Sequence, residues 1–159
     1  MRRLQGFALA CVVLAGCDTS LDRDKLVGDI EATLKEKGVP DATVHCPEVK
    51  KLTSGQKFQC GGGAFGKPFQ IDVVVTDDKG TVKWDLVGKI IETDKLSAVL
   101  QPKITAKIGT PAVVSCAENK LILAPKDTLT CDITADGESG KIAITVADNG
   151  DDVSWKILK

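Results

Sequence analysis

Two hydrophobic periods follow one another along this chain, and the succession occurs twice. Leu26, Ile30 and Leu34 stand four apart, as do Leu96, Leu100, Ile104 and Ile108; such a stripe covers one face of a helix. Each stripe ends at a glycine with a proline two residues on, Gly38 with Pro40 and Gly109 with Pro111. The glycine supplies a left-handed stop and the proline prevents continuation. Pro102 falls inside the second stripe, where a lost hydrogen bond predicts a kink costing about 3 kcal/mol. Beyond each glycine the period becomes two. Ala42, Val44 and Cys46 alternate with Thr43 and His45; Phe58 and Cys60 share a face, as do Ile71, Val73 and Val75, and then Val82, Trp84 and Leu86. The second half repeats this with Ala112, Val114 and Cys116, with Leu129, Cys131 and Ile133, with Ile142, Ile144 and Val146, and with Val153, Trp155 and Ile157. Alternation of this kind predicts strands with one covered and one wet face. Asp77-Asp78-Lys79-Gly80 and Asp148-Asn149-Gly150-Asp151 are tight-turn sequences, so the last two strands of each half are expected to form a hairpin.

The halves also match residue by residue. Asp24-Lys25-Leu26 recurs at Asp94-Lys95-Leu96, Cys46 and Cys60 at Cys116 and Cys131, and Val82-Lys83-Trp84 at Val153-Ser154-Trp155. The offset stays near seventy residues, with single-residue slips before the Gly-x-Pro and in the strand after it. The economical architecture is α+β: two tandem repeats, each an N-terminal helix packed on a four-stranded antiparallel sheet. The expected division is a signal peptide over 1–16, a first repeat over 17–87 and a second over 88–159. A unit of this size buries only roughly 60% of its extended surface, so a covalent staple would help.

Four cysteines fall on the covered faces, two per repeat. An even, repeated pattern in an oxidising compartment is first a disulfide framework, and the simplest pairing is Cys46 with Cys60 and Cys116 with Cys131. Closing such a loop contributes about 3 kcal/mol in the chain-entropy model. A metal site recruiting His45 is disfavoured, because no C-x-x-C occurs and Ser115 stands where His45 stands in the first repeat. The same missing motif argues against a redox-active thiol.

The compartment is read from the start of the chain. Arg2 and Arg3 precede a short apolar run ending in Leu14-Ala15-Gly16-Cys17, a secretory signal too short for a stable transmembrane helix. The Leu-Ala-Gly-Cys pattern resembles the bacterial lipobox, which implies that Cys17 becomes the lipidated first residue of a mature protein tethered to a membrane on the extracytoplasmic side. Each buried methylene of such an anchor contributes about 0.8 kcal/mol.

Charge and motifs narrow the function. Loss of Arg2 and Arg3 takes the formal charge from −1 to −3, which disfavours a nucleic-acid partner, since that needs a basic face. Gly61, Gly66 and Lys67 have P-loop spacing, but Pro68 stands where magnesium-binding Ser or Thr belongs, and Phe69 to Thr76 read as a strand where the phosphate-binding helix should begin. The glycines are expected to let the chain reverse between strands, and no nucleotide or other cofactor is expected. With a single histidine, no catalytic triad or carboxylate pair is recognisable, and an enzyme is not expected. Asp77, Asp78, Asp148, Asp151 and Asp152 lack the spacing of an EF-hand loop and read as solvated turn residues.

With the helix, Gly-x-Pro, Val44-x-Cys46-Pro47, Gly55-x-x-Phe58-x-Cys60 and the Asp-x-Gly hairpin in view, the first repeat resembles the bacterial envelope domain of unknown function 4333. The second departs from it at Ala117, in place of the proline after the first cysteine, and at Lys126, where Gly55 would align. The resemblance implies a secreted or lipid-anchored protein with those two cysteines paired, and no catalytic residues. The expectation is therefore a non-catalytic, lipid-anchored binding or scaffolding module of the bacterial cell envelope with a protein partner. The alternative is an inhibitor of an envelope or secreted enzyme, because a duplicated helix-on-sheet unit resembles the secreted β-lactamase inhibitor proteins. That alternative needs an exposed, aromatic-rich sheet face.

Overall fold

The computed structural model describes residues 20–148 and 152–158. Helix α1 (Arg23–Glu36) starts where the Asp22 side chain accepts the Lys25 N–H at 3.0 Å, filling one of the unpaired donors of a helix N-terminus. It ends where Val39 N–H reaches Leu34 O and Gly38 N–H reaches Lys35 O, both at 2.9 Å. That pair of bonds is a Schellman stop. Leu26, Ile30 and Leu34 are buried against the sheet formed, in order, by β1 (Thr43–His45), β2 (Lys57–Ala64), β3 (Lys67–Val75) and β4 (Val82–Val87), every pairing antiparallel. Glu31 on α1 accepts the Val44 N–H at 2.8 Å, which ties helix to edge strand and occupies a donor that an edge otherwise leaves open.

After β5 (Lys89–Glu92), helix α2 (Thr93–Ile108) covers a second antiparallel sheet of β6 (Ala112–Ser115), β8 (Thr128–Ala135), β9 (Glu138–Val146) and β10 (Val153–Leu158), ordered β10-β9-β8-β6. Gly109 N–H bonds to Thr105 O at the end of α2, and the helix continues through Pro102. Among the described residues the chain is thus α+β, with two helices and antiparallel sheets. Two inward expectations fail at the margins: Ile108 and Val153 are exposed, the first at the open end of α2 and the second at the start of an edge strand.

The layout also contains an element that the alternating pattern does not predict. Strand β5 pairs with β7 (Lys120–Leu123) in a two-stranded antiparallel ribbon. Its side chains alternate between two cores: Ile90 and Ile122 pack with Ile30, Leu34 and Ile71, whereas Ile91, Leu121 and Leu123 pack with Leu100, Ile104 and Ile142. The residues that follow the boundary expected at 87/88 are therefore mostly strand, and each face of the ribbon belongs to a different core. Gly88, at φ +121°, makes the crossing from β4 into the ribbon directly against the backbone of Leu123 and Ala124.

Polar contacts reinforce this joint. Glu92 receives Lys120 at 3.0 Å and also pairs with Lys95, and the Lys120 ammonium lies against Gly38 at the carbonyl end of α1, where a helix favours a cation. The hydrogen bonds from Lys95 and then Lys120 hold the Glu92 carboxyl below its ordinary 4.5. A depressed carboxylate contributes stability above its unfolded value, and that contribution disappears as pH falls through the folded one. Glu92→Gln is expected to flatten the decline of the urea midpoint below about pH 4.5; an acid limb as steep as that of the parent would contradict the assignment.

Identical turns with different residues follow the first cysteines. Gly55 N–H bonds to Val75 O and Lys126 N–H to Val146 O, with φ of +83° and +72° respectively. A left-handed lysine costs roughly 1–2 kcal/mol relative to its preferred backbone, while its exposed pair with Asp148 at 3.7 Å returns little. Lys126→Gly is expected to raise the melting temperature by roughly 2–4 °C, as read by circular dichroism; a lowered midpoint would show that the side chain matters more than its backbone.

Candidate functional site

The cysteines meet across β1–β2 and β6–β8. Because His45 faces Gly61 and Ser115 faces Asp132 in the ladders, the next residues along fall opposite each other. Cys46 bonds to Cys60 and Cys116 to Cys131, with Cα–Cα distances of 4.3 and 4.4 Å. Cys17 lies outside the described residues, as do Asp151 and most of the expected Asp148–Asp151 turn. His45 is exposed at the end of β1, next to a cysteine already held in a disulfide. Among the described residues no helix is long and apolar enough to cross a membrane.

The P-loop-like stretch is a hairpin. Gly61, Gly62 and Gly63 belong to β2, not to the turn expected of them; the reversal is made by Phe65 and Gly66 at φ +51° and +71°. Lys67 opens β3 and pairs with Glu118 at 3.8 Å. Gly62 is needed for a different reason. The Phe69 ring from β3 lies across it, and an added Cβ would also come within 2.7 Å of Thr43 O. The turn aspartates tie loops: Asp77 accepts N–H bonds from Lys79 and Thr81, both 2.9 Å, and Asp78 accepts from Ser54 at 3.0 Å. The contacts with Thr81 are the main reason that the Asp77 carboxyl is held below its ordinary 3.8.

The aromatic side chains do not make an outward platform. Among the described residues Phe58, Phe65, Phe69 and Trp84 pack on the first core and Trp155 on the second, so the wet sheet faces carry Gln59, Asp72, Asp132 and Lys141, joined in pairs at 2.8 and 2.9 Å.

One cavity among several of comparable volume in the described residues lies at the hairpin end of the second core. A groove of about 520 Å³ opens between the end of α2 and the β8–β9 hairpin, with Ile104, Ile133 and Ile157 inside and Ile108, Thr110, Asp136, Glu138 and Ser139 around it. Its origin is visible by comparison with the first sheet. Phe65-Gly66 and Asp136-Gly137 make equivalent turns, so hairpin register sets Phe69 against Gly140 and Gly62 against Ile133. Buried Val39, the residue after the glycine stop, corresponds to Thr110. Three residues that pack on the first core, Val39, Phe65 and Phe69, are thus Thr110, Asp136 and Gly140 in the second. Ile133 returns part of the lost volume, and the space beside Gly140 stays open, with nothing within 4 Å of where a Cβ would stand. At the lip, Ile108 is 39% exposed where the first unit has Lys37.

Period alone assigned Ile104, Ile108, Ile133 and Ile157 to a covered face, so the groove was missed. The legible signal was the loss of Phe69 and Val39 when the second half is laid on the first. Neither the curated proteins nor the solved structures include a match to this chain. Residues 6–80, which span α1 and β1 to β3, match the family described as a domain of unknown function, DUF4333.

Proposed function

We propose that this chain is a non-catalytic, lipid-anchored protein of the bacterial cell envelope, held on the extracytoplasmic side of a membrane by acyl chains on Cys17, and that it binds a protein partner. It is a duplicated helix-on-sheet unit in which the two copies have diverged: the first buries Phe69 where the second has Gly140, and the second carries the recognition surface. The observation that carries this reading is the open apolar groove beside Gly140, built where the first unit closes itself with Phe69. A partner that covers Ile108 and Ile157 would gain about 25 cal/mol per Å² of apolar area removed from water. The Cys116–Cys131 disulfide braces the sheet that carries the groove, which limits the ordering cost of binding.

The test has two arms in the native, full-length protein. Cells fed an alkyne-bearing palmitate analogue should label the parent chain and not Cys17→Ala, and the variant should leave the membrane fraction. A photo-crosslinking residue at position 108 should give one discrete adduct in the envelope, and the same residue at position 37 should not. An unlabelled parent would refute the anchor; equal adducts from both positions would refute the groove.

A further inference from the structure

The groove has a sign as well as a shape. Its rim carries Asp136 and Glu138, and neither makes an ion pair with another described residue. The carbonyl end of α2 also faces it through Ile108 and Thr110, and that end of a helix repels anions and attracts cations. The nearby cation, Lys107, is stacked 5.0 Å from the centroid of the Trp155 ring, and Lys141 is engaged by Asp132 on the opposite face of the sheet. The corresponding corner of the first unit has the reverse character, with Lys37 for Ile108 and Lys67 for Glu138. Phe69 and Lys67 of one hairpin thus become Gly140 and Glu138 in the other, and Lys67 is already paired with Glu118.

We propose that the groove takes a cationic amphipathic peptide segment, with one apolar side chain seated against the accessible parts of Ile108 and Ile157 and an adjacent Lys or Arg held by Asp136 and Glu138. The inference rests on the groove being the binding surface and adds the chemistry of its occupant. Phosphate and carboxylate head groups are disfavoured by the same argument, since anion sites form at the amide end of a helix and not at its carbonyl end. Charge complementarity of this exposed kind selects partners and speeds encounter, with a modest share of the affinity.

The experiment uses the intact chain with isotope-labelled isoleucine methyl groups and two synthetic probes of equal apolar content, acetyl-Lys-Leu-Lys-Phe-Lys-amide and acetyl-Glu-Leu-Glu-Phe-Glu-amide. The lysine peptide should shift the methyl signals of Ile104, Ile108, Ile133 and Ile157 and bind roughly threefold to tenfold more tightly than the glutamate peptide at low salt. The preference should shrink when ionic strength brings the screening length to about 3 Å. In Asp136→Asn/Glu138→Gln, which keeps the hairpin turn because asparagine tolerates positive φ, the preference should vanish while the lysine peptide still shifts the four methyls. Equal binding of both peptides at those methyls would overturn the cationic occupant and leave the groove as a binding surface. If neither peptide shifts them, both the cationic occupant and the groove as a binding surface are overturned.

Discussion

Replacing Gly88 by alanine is expected to destabilise the protein by about 3 kcal/mol or more, lowering its melting temperature by roughly 6–12 °C. Two costs coincide at this position. Its φ of +121° is a conformation that residues with a Cβ avoid at a cost of roughly 1–3 kcal/mol. The added Cβ would also lie 2.9 Å from the Leu123 carbonyl carbon and 3.0 Å from the Ala124 Cα. Those neighbours are backbone of the very segment that carries β7, so relief requires moving the ribbon. Moving the ribbon disturbs Ile122 in the first core and Leu121 and Leu123 in the second. The substitution should therefore weaken both sheets together, visible as lost hydrogen-exchange protection in β3 and β9 alike. A midpoint within about 1 °C of the parent, set against the 2–4 °C expected per kcal/mol, would show that the crossing is slack.

The double variant Cys46→Ala/Cys60→Ala is expected to lose about 3 kcal/mol by the chain-entropy argument for a closed loop of about 15 residues. The true loss should be larger, because Cys60 is 1% exposed and alanine leaves a gap among Leu26, Val44 and Ile71. The cut is topologically specific. The segment between these cysteines contains 50–56, a connection without strand or helix that is otherwise fastened by backbone bonds from Gly55 to Val75 and from Val75 to Gln56. Urea denaturation of the variant should show a lower midpoint, and the parent treated with a dithiol should reproduce it. A parent that keeps its midpoint after verified reduction would mean that β1–β2 pairing alone sets the stability. Cys116→Ala/Cys131→Ala should behave alike, but its unit also borders the groove, so methyl signals of Ile133 should report the loss directly.

The helices, the α+β class and the disulfide chemistry were legible in the chain because each depends on neighbours close in sequence. Leu26, Ile30 and Leu34 declare a helix by spacing alone, and Ile71, Val73 and Val75 declare a half-covered strand. The glycine run misled for a reason of the same kind. Gly61 to Gly63 look like a flexible turn, but Gly62 is a strand residue emptied to receive the Phe69 ring from across the ladder. Nothing within a few residues of Gly62 records that demand.

What the sequence by itself determined, then, is the set of local choices: two amphipathic helices with their stops, strands of period two, and cysteines on covered faces. The tertiary structure alone decided how the two halves join. A ribbon whose two faces enter two different cores is apolar at successive positions, Ile90-Ile91 and Leu121-Ile122-Leu123, and a strand buried on both sides shows no alternation to be read. The groove was likewise decided by the fold, because an opening is made by side chains that are missing from places far apart in the chain. Thr110, Asp136 and Gly140 acquire their meaning only when the end of α2 and the β8–β9 hairpin bring them around the same space.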